Sequence, residues 1–135
     1  MLAVFAMSMT ASAQSEWAFY TLKKEVINHN GWTSEKVTLQ LCFKYGGGLQ
    51  YYNQGGKNNG HFVAWCKDDD RLHFENHSDK TIKFSMTYKK SKNGKTYGPV
   101  YFSIGPFGTR DGDGVAFPMK NKTWEFVTIK PVEVK

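Results

Sequence analysis

The alternation of apolar and polar residues across positions 71–89 predicts two antiparallel strands joined by a tight turn. Leu72 and Phe74 alternate with polar neighbours, and the same two-residue period resumes at Ile82 after a break rich in Asn, Ser and Asp. A period of two is typical of strands with one buried face, and the residues of the break are turn formers. With the turn centred near Ser78, Phe74 lies opposite Ile82. We therefore expect this hairpin at the centre of the fold.

The rest of the chain repeats the strand pattern and contains no amphipathic helix of useful length. The further strand predictions cover residues 17–27, 36–45, 61–66, a returning strand with Val100, Phe102 and Ile104, 115–117 and 124–134, with 49–53 as a candidate edge strand. Seven or eight strands without intervening helices predict an all-β fold, an antiparallel β-sandwich. A small closed β-barrel is the alternative.

The Asn93-Gly94 dipeptide predicts the turn of a second hairpin, because Asn-Gly readily adopts the positive φ angles of a type I′ turn. Counting outward from this turn places Met86 opposite Tyr101 rather than opposite Val100. Either Tyr101 faces inward, or a β-bulge at Gly98-Pro99 resets the register. We favour the bulge.

The first thirteen residues have features of an export signal. They carry no charge, contain an apolar run at 1–7 and end in Ala11-Ser12-Ala13, a small-x-small cleavage pattern. The usual basic residues before the apolar run are missing, so we interpret 1–13 as a truncated signal peptide; an ordinary N-terminal strand is the alternative. No later run approaches the ~20 apolar residues of a membrane span. We therefore predict a single domain over 14–135 and a periplasmic or secreted location.

The two cysteines, Cys42 and Cys66, fit an oxidising compartment, where such a pair usually forms a disulfide. Two sulfurs without a Cys-x-x-Cys motif cannot make a zinc site alone. The strand pattern conflicts with a simple bridge, because Leu41 and Phe43 share the apolar face and Cys42 points the other way. We predict a Cys42–Cys66 disulfide on the outer face or under a second layer, with two free thiols as the alternative.

Composition supports a packed domain with a basic surface. The chain has 135 residues, 40% of them hydrophobic and 16% aromatic, and a formal net charge of +6. A basic balance can attract nucleic acid, anionic glycans or membrane surfaces. Proteins that recognise bases and phosphates usually bind them through arginine guanidinium groups. This chain has only two arginines, Arg71 and Arg110. We predict no nucleic-acid partner and a lysine-rich solvated surface.

Several polar clusters resemble metal ligand sets, although surface and turn positions explain each of them. The candidates are His73, Glu75 and His77 on one side of a strand, which could bind zinc or iron, and Asp68–Asp70 with Asp111 and Asp113, which could bind calcium. Asp and Gly are also ordinary turn residues. No Ser, His and Asp can be placed together as a catalytic triad. We predict no metal, no cofactor and no catalytic residue, and a small metal-dependent enzyme is the weakest alternative.

Aromatic residues in polar loops are the clearest candidates for ligand binding. The segment 46–60 has six glycines in fifteen residues and carries Tyr51 and Tyr52, while Trp32 follows another turn. Long loops of this kind are either functional or disordered. Aromatic rings flanked by Asn and Gln suit stacking on sugars or gripping a protein partner. The alternative is that these three rings cap the open end of the sandwich.

Two stretches carry a family resemblance at the level of pattern. Phe74–Phe84 reads as strand, polar turn and strand, and Ile104–Gly108 as a later proline/glycine corner. Together they resemble immunoglobulin-like or fibronectin type III-like modules of exported bacterial proteins. The chain departs from antibody domains, since Trp65 directly precedes Cys66 instead of standing on a strand of its own. The resemblance implies a fold and no activity.

The combined expectation is an exported, non-enzymatic binding or accessory module. Its ligand would be a glycan or an envelope protein bound through the 46–60 loop. A structural or assembly domain of an envelope complex, using sheet edges and lysines, is the alternative function.

Overall fold

The computed structural model describes residues 16–53, 59–66, 72–90, 94–111 and 123–135. The predicted leader 1–13, Asp68–Asp70, the side chains of Asp111 and Asp113, and the strand 115–117 lie outside the described residues. The strands are β1 Trp17–Asn28, β2 Thr33–Tyr45, β3 Gly48–Tyr51, β4 His61–Cys66, β5 Leu72–His77, β6 Ile82–Lys89, β7 Thr96–Ile104, β8 Thr109–Asp111 and β9 Glu125–Val134. The described part of the chain contains no helix.

The strands form two antiparallel sheets. The six-stranded sheet has the order β1-β2-β4-β5-β8, with β3 added to the end of β2, and the three-stranded sheet has the order β7-β6-β9. The two sheets face each other across one hydrophobic core and stay separate in the described part of the chain. The predicted all-β antiparallel sandwich is confirmed. The described strands exceed the predicted seven or eight, since β8 covers residues for which the pattern predicts no strand.

Phenylalanine rings from both sheets meet at the centre of the core. Phe62 and Phe74 come from the six-stranded sheet, Phe84 and Phe102 from the three-stranded sheet, and ring centroids across the interface are 4.7–5.0 Å apart. Fully burying a side chain of this size contributes about 1.5–3 kcal/mol relative to leaving it in water. These strands assemble because each must bury one apolar face.

The predicted hairpin across 71–89 is wrong, since β5 and β6 belong to different sheets. β5 pairs with β4 and β8, whereas β6 pairs with β7 and β9. The intervening residues 78–81 carry the chain from one sheet to the other. Phe74 and Phe84 therefore meet edge-to-face across the core, with ring centroids 5.0 Å apart. Alternation of apolar residues is the same for strands that pair and strands that face each other, so the pattern could not separate the two cases.

The predicted bulge at Gly98-Pro99 is confirmed. Met86 lies opposite Val100 and Tyr88 opposite Tyr97, so Gly98 and Pro99 together face the single residue Thr87. Gly98 has a φ of 104°. A Cβ there would lie 2.7 Å from the Met86 carbonyl oxygen, so both conformation and space require glycine. Asn93 of the predicted turn lies outside the described residues.

The predicted Cys42–Cys66 disulfide is wrong, because both cysteines are buried and neither forms a disulfide. The Cys66 carbonyl accepts a hydrogen bond from Ser34 Oγ at 3.2 Å, which fixes Cys66 beside the beginning of β2. Cys42 lies eight residues farther along β2, roughly 25 Å away at strand spacing. A disulfide needs Cα atoms within about 7 Å. The two side chains also occupy opposite faces of the sheet, since Cys66 is in the core and Cys42 alternates with the core residue Leu41.

Candidate functional site

The inner face of β2 leaves the core before the strand ends. Along this face Val37, Leu39 and Leu41 are buried, Phe43 is half-buried and Tyr45 is 51% exposed. Since alternate residues of a strand share one face, the apolar stripe that forms the core continues into solvent here. The three-stranded sheet therefore leaves the last two of these positions at least partly uncovered.

Four aromatic rings gather at this end of the six-stranded sheet, and we call them the aromatic shelf: Trp17, Phe43, Tyr45 and Tyr52. The register of β1 on β2 places Trp17 opposite Phe43, with ring centroids 5.4 Å apart. The Trp17 ring also meets Tyr52 edge-on at 5.7 Å. The rings of Phe43 and Tyr45 are nearly parallel, 6.2 Å apart. The shelf is thus a contiguous aromatic surface with one strongly exposed member.

Backbone contacts fix Tyr52 on the shelf. The Tyr52 N–H donates to the carbonyl of Leu41 at 2.8 Å, and Gln40 Nε2 donates to the Tyr52 carbonyl at 2.7 Å. Gly60 packs against the backbone of Tyr52 so closely that an added Cβ would lie 2.1 Å from the Tyr52 carbonyl oxygen. These contacts turn the Tyr52 ring toward the inner face and away from the side that carries Tyr51.

Two charged residues form a polar rim beside Tyr52. The Tyr52 hydroxyl donates to Asp79 Oδ1 at 2.5 Å, and Lys80 Nζ lies 5.8 Å from the centre of the Tyr52 ring. The pKa of Tyr52 is raised to about 12, first by burial and then by the hydrogen bond to Asp79 and its charge. Tyr52 therefore stays neutral and holds Asp79 at the edge of the shelf.

The buried Asn76 side chain positions this rim. Its Nδ2 donates to the carbonyls of Lys80 at 2.7 Å and Gly105 at 2.9 Å. Its Oδ1 accepts from the N–H and the hydroxyl of Ser78, at 3.1 and 2.7 Å. One amide thus ties the crossover at 78–81 to the turn after β7, which places Asp79 and Lys80 above Tyr52.

The three predicted ligand-binding aromatics do not form one site. Trp32 is 8% exposed, stacks on His29 with centroids 3.8 Å apart, and precedes the first residue of β2. Tyr52 lies beside Leu41, nine residues farther along β2 than Trp32 and roughly 30 Å away. Tyr51 pairs with Cys42 on the outer face and places its ring 5.7 Å from that of Tyr20. Only Tyr52 belongs to the shelf.

The sequence pattern does not mark Trp17, Phe43 and Tyr45 as ligand-binding candidates, because the two-residue alternation places them on the apolar faces of their strands. The available signal was their position: Phe43 and Tyr45 directly precede the Gly46-Gly47 turn, where a strand reaches the limit of its covering sheet. Both glycines have positive φ angles, 62° and 85°, as a two-residue hairpin turn requires. The candidate edge strand 49–53 is confirmed as β3.

The histidines considered as metal ligands lie on the outer face of β5. His73 is nearly buried, with its ring 5.6 Å from that of Trp65, and His77 Nε2 lies 2.9 Å from Glu75 Oε1. His61 on β4 lies opposite His77, and its pKa is lowered by burial and then by the charge of His77. Within the ranges that the structure describes, no group of three His, Cys, Asp or Glu side chains is arranged to hold a metal ion.

Comparison with protein-family models, curated proteins and solved structures gave no match to this chain. The resemblance to immunoglobulin-like and fibronectin type III-like modules therefore stays a prediction. None of the residues with described positions forms a helix that is long and apolar enough to cross a membrane.

Proposed function

We propose that this chain is a non-enzymatic binding module that holds a carbohydrate on the aromatic shelf. The observation that carries the proposal is the emergence of the core stripe into solvent at Phe43 and Tyr45. Exposing tyrosine and phenylalanine at the end of a well-packed strand costs hydrophobic free energy, which a ligand that covers the rings would recover. Sugars suit such a surface because their C–H faces pack against aromatic rings.

Polar groups around the rings match the hydroxyl edge of a sugar. Asp79 accepts hydrogen bonds, Lys80 donates them, and Gln50, which lies opposite Phe43 in the β2–β3 pair, can do both. Binding sites for small molecules are mostly apolar and contain a few fixed polar groups of this kind. The contact between Tyr52 and Asp79 presets the position of the carboxylate before the ligand arrives, which reduces the entropy that binding must overcome.

The size of the shelf favours a sugar over a protein as its ligand. A stable protein interface needs about 800 Å² on each partner. Three of the four shelf rings are half-buried, which leaves a small apolar area around the exposed Tyr45. The predicted export signal at 1–13 also supports a carbohydrate, since an exported chain would meet glycans of the cell envelope and its surroundings.

The proposal predicts different outcomes for two tyrosines of nearly equal exposure. Tyr45 is 51% exposed on the shelf and Tyr51 is 56% exposed on the opposite face. Affinity electrophoresis through gels containing neutral and anionic polysaccharides should show retardation of the unmodified chain. Tyr45→Ala should weaken binding about tenfold, equivalent to about 1.4 kcal/mol, whereas Tyr51→Ala should leave it unchanged.

Both variants should keep the melting temperature of the parent within a few degrees, because each ring is largely in solvent. Equal retardation of Tyr45→Ala and the parent would contradict the proposal. So would migration of the parent chain at its free rate in every polysaccharide gel.

A further inference from the structure

Strand β1 presents a long open edge. It spans twelve residues, and among the described strands it pairs only with β2. Its central part is in solvent, with Leu22 47% and Val26 69% exposed. An edge strand with unpaired N–H and C=O groups is a template for another strand, and proteins usually block such edges with charges, bulges or coverage. The exposed apolar side chains of Leu22 and Val26 do not block the edge in this way.

The centre of β1 is complementary to itself in antiparallel orientation. If two copies pair around a two-fold axis at Lys24, Lys23 of each copy lies opposite Glu25 of the other. Opposite charges directly across a strand pair stabilise it, and like charges oppose it. Lys23 and Glu25 share the outer face of the sheet, where their partners on β2 are Thr38 and Lys36.

Charged side chains and a bulge, which usually block pairing at a sheet edge, both occur in the centre of β1. Lys23 and Glu25 already form an ion pair within the strand at 3.4 Å, so two copies would bring together a square of alternating charges. Lys24, at the axis, is paired with Glu35 Oε2 at 3.7 Å, which offsets the repulsion between its two copies. The bulge of β1, between Thr21 and Lys23, ends the regular pairing there, so the regular part of the contact covers residues 23–25 of each copy and stays short.

We infer that two copies of this chain associate through β1 edges in an antiparallel, two-fold symmetric pair centred on Lys24. The interface is isologous, since every contact occurs twice. It extends the six-stranded sheet across two subunits and leaves the aromatic shelf of each copy at the outer end of β1, because Trp17 lies seven residues from the axis. The contact is small, so we expect weak association that is visible at roughly 10 µM to 1 mM.

Sedimentation equilibrium of charge-swap variants tests the inference. The full chain should show a reversible monomer–dimer equilibrium. Lys23→Glu and Glu25→Lys should each weaken dimerisation at least tenfold, because each places like charges opposite one another. The double variant Lys23→Glu/Glu25→Lys restores opposite charges and should return the dissociation constant to within about threefold of the parent. Lys130→Glu, the same charge change on β9, is the matched control.

Cysteine cross-linking tests the position of the axis. Lys24→Cys places two thiols directly opposite each other, with Cα atoms about 4.5–5.5 Å apart, so mild oxidation should give a covalent dimer. Asn28→Cys, four residues from the axis, places its two copies roughly 25 Å apart and should not cross-link. A parent chain that remains monomeric up to 1 mM, a dimer insensitive to both single swaps, or equal cross-linking of the two cysteine variants would overturn the inference.

Discussion

Replacement of Asn76 by alanine should destabilise the protein more than any surface change. Asn76 is 1% exposed, and its amide makes four hydrogen bonds of 2.7–3.1 Å with Ser78, Lys80 and Gly105. Each such bond contributes about 1 kcal/mol net, and buried groups that lose a partner without gaining water cost more. We therefore expect Asn76→Ala to lower the free energy of unfolding by about 3–5 kcal/mol.

Urea unfolding followed by far-UV circular dichroism measures this loss. Asn28→Ala, at the exposed end of β1, is the matched control and should change the free energy of unfolding by no more than about 0.5 kcal/mol. Asn76→Asp adds a second comparison, because the carboxylate keeps the acceptor for Ser78 but faces the carbonyls of Lys80 and Gly105. It should be at least as destabilising as alanine at pH 7 and should recover as the pH falls. A loss below about 1 kcal/mol for Asn76→Ala would refute the role assigned to this amide.

Two further substitutions test the partly buried carboxylate of Glu35 and the bulge at Gly98. Burial raises the pKa of Glu35 above 4.5. The charge of Lys24 opposes this shift, and the charge of Glu125 adds to it. Folded protein then binds the proton more tightly than unfolded protein, so Glu35 lowers stability as the pH rises from 4.5 through its folded pKa. Glu35→Gln should gain stability relative to the parent across that window in urea titrations, and a difference that does not change with pH would contradict this. Gly98→Ala should cost about 1–3 kcal/mol in the same assay, whereas Gly105→Ala, with open space at its Cβ, should be nearly neutral.

Local patterns predicted most of the strands and one irregularity. The alternation of apolar residues placed β4 at the residues that the structure assigns to it, and the mismatch between Met86 and the Asn93-Gly94 turn predicted the bulge at Gly98-Pro99. Both depend on interactions between residues close in sequence. The separation of β5 and β6 into two sheets depends instead on residues distant in sequence, because the Asn76 amide is bonded both to the crossover at Lys80 and to the turn at 105–108.

The candidate site was only partly predictable for the same reason. The pattern predicts Tyr52 as a ligand-binding candidate but not Trp17 or Tyr45, since a strand pattern shows which face is apolar and not how far the opposite sheet extends. Trp32 was assigned to a loop site, and the structure buries it against His29. Cysteine pairing failed because it depends on the register between β2 and β4.

Titration of the protein with oligosaccharides, followed by NMR of its aromatic side chains, tests the central claim most directly. Trp17 and Tyr45 report on the shelf, Tyr51 on the opposite face and Trp32 on the other end of β2. Binding to the shelf predicts saturable shifts of the Trp17 and Tyr45 signals, with those of Tyr51 and Trp32 unchanged. The claim is contradicted if no neutral or anionic oligosaccharide moves the shelf signals, or if a bound sugar moves those of Tyr51 instead.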